Sequence, residues 1–89
     1  MTLSQFERQI GRTLVVEPAG KRAFRCFFEG VLFAERPGLC GVTTTIIAAG
    51  PNRQRARGDF VQKIRGKFAR VYHGSRSYTE FPVPVALTE

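Results

Sequence analysis

Arg22-Ala23-Phe24-Arg25-Cys26-Phe27-Phe28-Glu29-Gly30-Val31-Leu32-Phe33-Ala34 is the stretch on which the fold turns. Phe24, Cys26 and Phe28 alternate against Arg25, Phe27 and Glu29, the period-two pattern of a strand with one buried face. After Gly30 the apolar positions change phase to Val31 and Phe33. A glycine at a phase shift is the mark of a β-bulge. The rival reading is a hairpin turning at Glu29-Gly30; Glu-Gly is a poor turn pair, so the bulge is preferred.

On the C-terminal side, Pro37-Gly38 is a type II turn signal, and Thr/Ile-rich Gly41 to Ala49 reads as the next strand. A turn centred there sets Cys40 opposite about Glu35 and Cys26 opposite about Ala49, too far apart for a disulfide. On the N-terminal side, β-branched Thr13 to Glu17 is a strand, and Pro18-Ala19-Gly20-Lys21 is the turn between. Ahead of it, Ser4-Gln5-Phe6-Glu7 fits a capping box. It predicts a short helix over 5–10, with Leu3, Phe6 and Ile10 on one side and Gly11 as the stop.

Beyond Gly50-Pro51, Asn52 is a good N-cap, and Ala56, Phe60, Val61 and Ile64 recur at helical spacing up to Gly66. A rival helix from Asp59 to His73 would use Phe60, Ile64, Phe68 and Val71. Gly66-Lys67 reads as a stop and Phe68 to Tyr72 is β-prone, so the first is preferred. Tyr78 to Leu87 carries two prolines and is an edge strand or a strap. The expected fold is therefore α+β and a single domain over 1–89. It has a short N-terminal helix, a three-stranded antiparallel meander, one main helix packed on the sheet, and an extended C-terminal segment. Phe24, Phe28, Val31, Phe33, Ile46, Phe60 and Ile64 supply the expected core.

With 43% hydrophobic and 24% charged residues, the 89-residue chain reads as globular rather than disordered. No apolar run approaches the roughly 20 residues that span a bilayer, and Glu7 and Arg8 fall where a signal peptide needs an apolar core. A cytoplasmic protein is expected. Catalysis is not. The one histidine, His73, stands beside Gly74-Ser75 with no carboxylate near in sequence. Cys40, in a turn near Arg36, reads as a small buried hydrophobe before it reads as a reactive thiol. The acidic residues form no close pair, and no phosphate-cradling glycine loop is present. One histidine and two cysteines do not complete a four-ligand zinc site without carboxylates. No metal or cofactor is expected.

The charge distribution is more informative. The net charge is +7. Between Asn52 and Arg76 lie eight basic residues opposed only by Asp59, while the rest of the chain balances six against six. Three arginines, Arg53, Arg55 and Arg57, crowd the first turns of the main helix. The helix dipole disfavours cations there by about 0.3–1 kcal/mol each. A local rule broken at the cost of stability marks a candidate site. Arg53 and Arg57 project from one side, and Arg55 widens the patch. Lys63, Lys67 and Arg70 extend the track, and Lys21 and Arg22 in the first strand turn add a second contact. An anionic partner is expected, against the plainer reading of a solvated basic face.

The order helix, three strands, helix, with Asn52-Arg53-Gln54-Arg55-Ala56-Arg57 opening the last helix, resembles the double-stranded-RNA-binding domain. There, a small capping residue precedes basic residues and a buried alanine, as at Asn52, Arg53, Ala56 and Arg57. The resemblance implies that these arginines contact phosphates and that Lys21 and Arg22 lie in a loop entering the minor groove. Gln54, the short first helix and the tail depart from that family. The chain is also similar to small prophage-encoded proteins that share an Ile-x-Gly-Lys helix end and a Val-Pro tail, here Ile64-Arg65-Gly66-Lys67 and Phe81-Pro82-Val83-Pro84. Their last helix opens with acidic residues, so the arginines mark where this chain's own function is expected.

Two functions follow as expectations. One is a non-enzymatic binder of duplex RNA or DNA backbone. The alternative is a phage or mobile-element inhibitor or adaptor that blocks a host nucleic-acid-processing or defence complex, such as a CRISPR effector.

Overall fold

The computed structural model describes residues 1–38 and 41–89; Leu39 and Cys40, and with them the reading of Cys40 as a small hydrophobe, lie outside the described residues. Nine elements follow in chain order: α1 (Leu3–Ile10), β1 (Val15–Pro18), β2 (Phe24–Phe27), β3 (Val31–Ala34), β4 (Thr43–Thr44), β5 (Ala48–Gly50), α2 (Arg53–Ile64), β6 (Phe68–Tyr72) and β7 (Tyr78–Pro82). The α+β class, the short first helix, the antiparallel strands, the main helix and the C-terminal strand are all present.

The strands form two antiparallel sheets, ordered β1-β2-β5 and β4-β3-β6-β7. The split falls within Arg22–Ala34, between β2 and β3. Cys26 faces Ala48, and Phe33 faces Thr44. From Cys26 to Phe33 is seven residues, but from Thr44 to Ala48 only four. Three surplus residues therefore collect at Phe28–Gly30, where Gly30 takes φ 70°. The 24–34 and 43–50 segments are thus one long hairpin, broken in the middle by an enlarged bulge. The meander expected from the sequence is β1 with the two arms of this hairpin. What the sequence did not disclose is that the bulge turns the far half into a second sheet, where β6 takes the side of β3 that β1 takes of β2. A bulge bends a strand and adds twist, and three extra residues do so strongly enough to divide the sheet.

Phe28, inside the bulge, points into the core rather than being lost to solvent. Its ring meets Phe6 of α1 at 6.4 Å and Phe60 of α2 at 5.4 Å, and Phe60 meets Phe33 of β3 at 6.1 Å, all edge-to-face. This chain of rings ties both helices to both sheets, the geometry aromatic quadrupoles prefer. Phe28, Val31, Phe33, Phe60 and Ile64 are buried as expected, whereas Phe24 and Ile46 only lean against the core.

Helix α1 starts earlier than read. Its capping box is Thr2 with Gln5, two residues before the expected one, because Leu3 is itself buried and belongs to the helix. Helix α2 opens on Asn52, whose side chain accepts from the Arg55 N–H at 2.8 Å, and ends at Ile64; Gly66 takes φ 74°. The longer rival helix is ruled out, because Phe68–Tyr72 is a strand between β3 and β7. The C-terminal segment is both edge strand and strap. After β7, Val83 and Leu87 are buried, and Thr88 pairs beside Thr2, with the Leu3 N–H donating to its carbonyl at 2.7 Å. Among the described residues, no helix is long and apolar enough to cross a membrane.

Candidate functional site

Gly50 sets the position of the arginine-rich helix start. A Cβ there would lie 2.6 Å from the Ala56 nitrogen and 2.9 Å from the Arg55 carbonyl carbon. Only a glycine lets the first turns of α2 close onto β5 and β2 so tightly. The same approach buries Ala56 and brings the Cys26 thiol to donate to the Ala56 carbonyl at 3.1 Å. Burial raises the Cys26 pKa from 9.0 to about 11; the Arg57 and Lys63 charges oppose the rise and Asp59 adds to it. Cys26 is a neutral packing group, not a nucleophile.

Arg53 lies over the ring of Phe24, its guanidinium carbon 5.1 Å from the ring centroid. Phe24 begins β2 and faces Gly50 across the ladder. Three and two residues before it come Lys21 and Arg22, both exposed, in the β1–β2 turn that the Ala19 N–H closes onto the Ala23 carbonyl at 3.0 Å. The register therefore sets the two basic stretches, thirty residues apart in sequence, at the same end of the β1-β2-β5 sheet. Arg22 holds φ 57°, the one non-glycine residue with positive φ among those described.

The remaining cations differ in their surroundings. Arg57 is half-buried, and its charge is felt at Cys26. Arg55 lines a polar groove of about 630 Å³ shared with Asp59, Gln62 and Glu89. Lys63 pairs with Asp59 one turn back at 3.2 Å. Lys67 pairs with Glu35. Arg70 is 5% exposed, bonds Glu80 at 3.2 Å and the Gly38 carbonyl, and lies over the Tyr78 ring.

The track expected through Lys67 and Arg70 is therefore not a row of free charges. Both sit where the β3–β4 turn and β7 supply carboxylates, and Arg70 has become part of the protein's own framework. Among the described residues, ion pairs engage Arg25, Lys63, Lys67 and Arg70, whereas Lys21, Arg22, Arg53, Arg55 and Arg57 enter none. Sequence reasoning missed Phe24 as a platform, having placed it in the core. Only the strand register reveals that a residue 29 positions upstream lies beneath Arg53.

Among the described residues, no three of His, Cys, Asp and Glu converge to hold a metal. His73 meets Thr79 at 2.6 Å on the exposed end of the β6–β7 hairpin. The chain matches no protein-family model, no curated protein and no solved structure.

Proposed function

We propose that this protein is a non-enzymatic binder of duplex nucleic acid that grips the phosphate backbone through Arg53, Arg57, Lys21 and Arg22, with Arg55 and Lys63 at the margin. One observation carries the reading: among the described residues Lys21, Arg22, Arg53, Arg55 and Arg57 enter no ion pair, whereas Lys63, Lys67 and Arg70 of the same expected track are each held by a carboxylate. Arginine left unpaired on a rigid face is suited to phosphate, which its planar fork meets with two hydrogen bonds. The charge selects for backbone rather than base identity. The test is fluorescence anisotropy with labelled duplex RNA, duplex DNA and single strands. Duplex binding is expected, and its loss in an Arg53→Glu/Arg55→Glu/Arg57→Glu variant that still folds. A variant binding as well as the parent protein contradicts the reading.

A second reading, a mobile-element inhibitor or adaptor seated on a host nucleic-acid-processing or defence complex, draws on a different observation. The sheet faces turned away from α2 form an apolar groove of about 450 Å³ at the bulge, lined by Phe27, Leu32, Thr45 and Tyr72. Exposed apolar surface of this kind suits a protein partner. Copurification with such a complex, lost on Phe27→Asp but not on charge reversal at Arg53, favours it over the first.

A further inference from the structure

Arg53 has a support that no other unpaired arginine of the patch shares. We infer that Phe24 is the positioning residue of the binding face: its ring holds the Arg53 guanidinium in place and offers the partner the edge of the fork, so that the face takes a phosphodiester backbone irrespective of base sequence. The inference rests on the functional reading above and deepens it.

The ring-to-guanidinium distance of 5.1 Å is within the range of a cation–π contact. Phe24 is itself anchored. It lies in the central strand of its sheet, facing Pro18 on one side and Gly50 on the other, and packs against the core. A free arginine loses rotamer freedom when it is fixed on a ligand. An arginine already resting on a ring has lost part of that before the ligand arrives, which is how preorganisation raises affinity.

The stack also selects the mode of contact. Arginine meets nucleic acid either by laying its plane on a base or by turning its N–H edge to a phosphate. Phe24 takes the near side of the Arg53 guanidinium, 5.1 Å away, so a base is kept from that side while N–H donors remain for a phosphate. Arg55 has no such platform, and it shares its groove with the carboxylates of Asp59 and Glu89. Arg53 therefore contributes more than Arg55, although both are exposed at the start of one helix.

The experiment compares Phe24→Leu, Phe24→Tyr, Arg53→Ala and Arg53→Lys in the full chain, with two labelled duplexes of unlike base composition. Phe24→Leu should weaken both duplexes equally, by about two- to fivefold, and should have no further effect once Arg53 is alanine. Phe24→Tyr should bind as the parent protein does. Arg53→Lys, which leaves the core untouched, should lose affinity because the fork is gone. In the free protein, the Arg53 side-chain protons should show a ring-current shift that Phe24→Leu abolishes.

Phe24→Leu binding unchanged, or weakening equally without Arg53, overturns the role of Phe24 while leaving the functional reading intact. A loss confined to one duplex overturns the backbone assignment. A parent protein with no duplex affinity overturns the functional reading itself. Arg53 protons without a ring-current shift overturn the stack regardless of any ligand.

Discussion

Arg22 holds a left-handed backbone conformation, φ 57°, that costs a side-chain-bearing residue about 1–2 kcal/mol. Glycine there would remove most of that cost, offset by the greater freedom it gives the unfolded chain. Arg22→Gly is expected to stabilise the protein by about 1 kcal/mol in urea denaturation while weakening duplex binding. A less stable variant would show that the arginine is held by contacts rather than strained. Cys26 gives the opposite kind of test. Its thiol is raised to about 11 by burial, so the unfolded chain releases this proton first. Stability should therefore fall as pH climbs from about 9 to 11, and a Cys26→Ala variant should lack that component. Peptide mapping after alkylation at pH 8 should find Cys26 unmodified in the folded protein. The alternation of residues 24–28 already put Cys26 inward. Nothing comparable announced Arg70, whose partner Glu80 lies on the next strand in a register that residue types alone do not specify.

Among the elements, α2 was the most legible, because Asn52 and Gly66 are strong punctuation on either side of a clear apolar period. One glycine just ahead of it and one inside it have opposite roles. Gly50→Ala, just ahead of it, drives a Cβ into helix backbone and should cost about 1–3 kcal/mol. Gly58→Ala should instead raise the midpoint of thermal unfolding. Alanine favours a helix interior by about 1 kcal/mol, and the new Cβ meets only the Glu89 side chain at 3.0 Å, which is free to swing away. Equal effects at the two sites would contradict the close approach of α2 to β5. The strands were less legible. Thr43 to Ile47 is β-branched throughout, so the break at Thr45–Ile47 has no local signal. It exists because the opposite arm carries three extra residues. The α1 cap was misplaced for a simpler reason: Thr2-x-x-Gln5 and Ser4-x-x-Glu7 both satisfy the pattern, and only the burial of Leu3 chooses between them.

At the scale of the molecule, one row of aromatic rings joins α1, the bulge, β3 and α2. Phe60 is its hub and is fully buried. Phe60→Ala should cost about 3–5 kcal/mol, enough to leave a domain of this size largely unfolded by circular dichroism. A stably folded variant would deny that the two sheets share a core. The basic patch itself was visible in sequence as a charge imbalance. Its division into structural and unpaired cations was not, because Lys67 and Arg70 find their partners through tertiary folding.

That division leads to the central claim, that Lys21, Arg22 and Arg53 form one phosphate-gripping face although the chain separates them by thirty residues. The direct measurement is the salt dependence of duplex-DNA affinity for the parent protein and for Lys21→Ala/Arg22→Ala/Arg53→Ala. Each phosphate neutralised contributes about 0.9 to the slope of log K against log salt. The variant should fold normally and show a slope shallower by about that amount for each of the three contacts removed, on any duplex sequence. An unchanged slope would contradict the central claim.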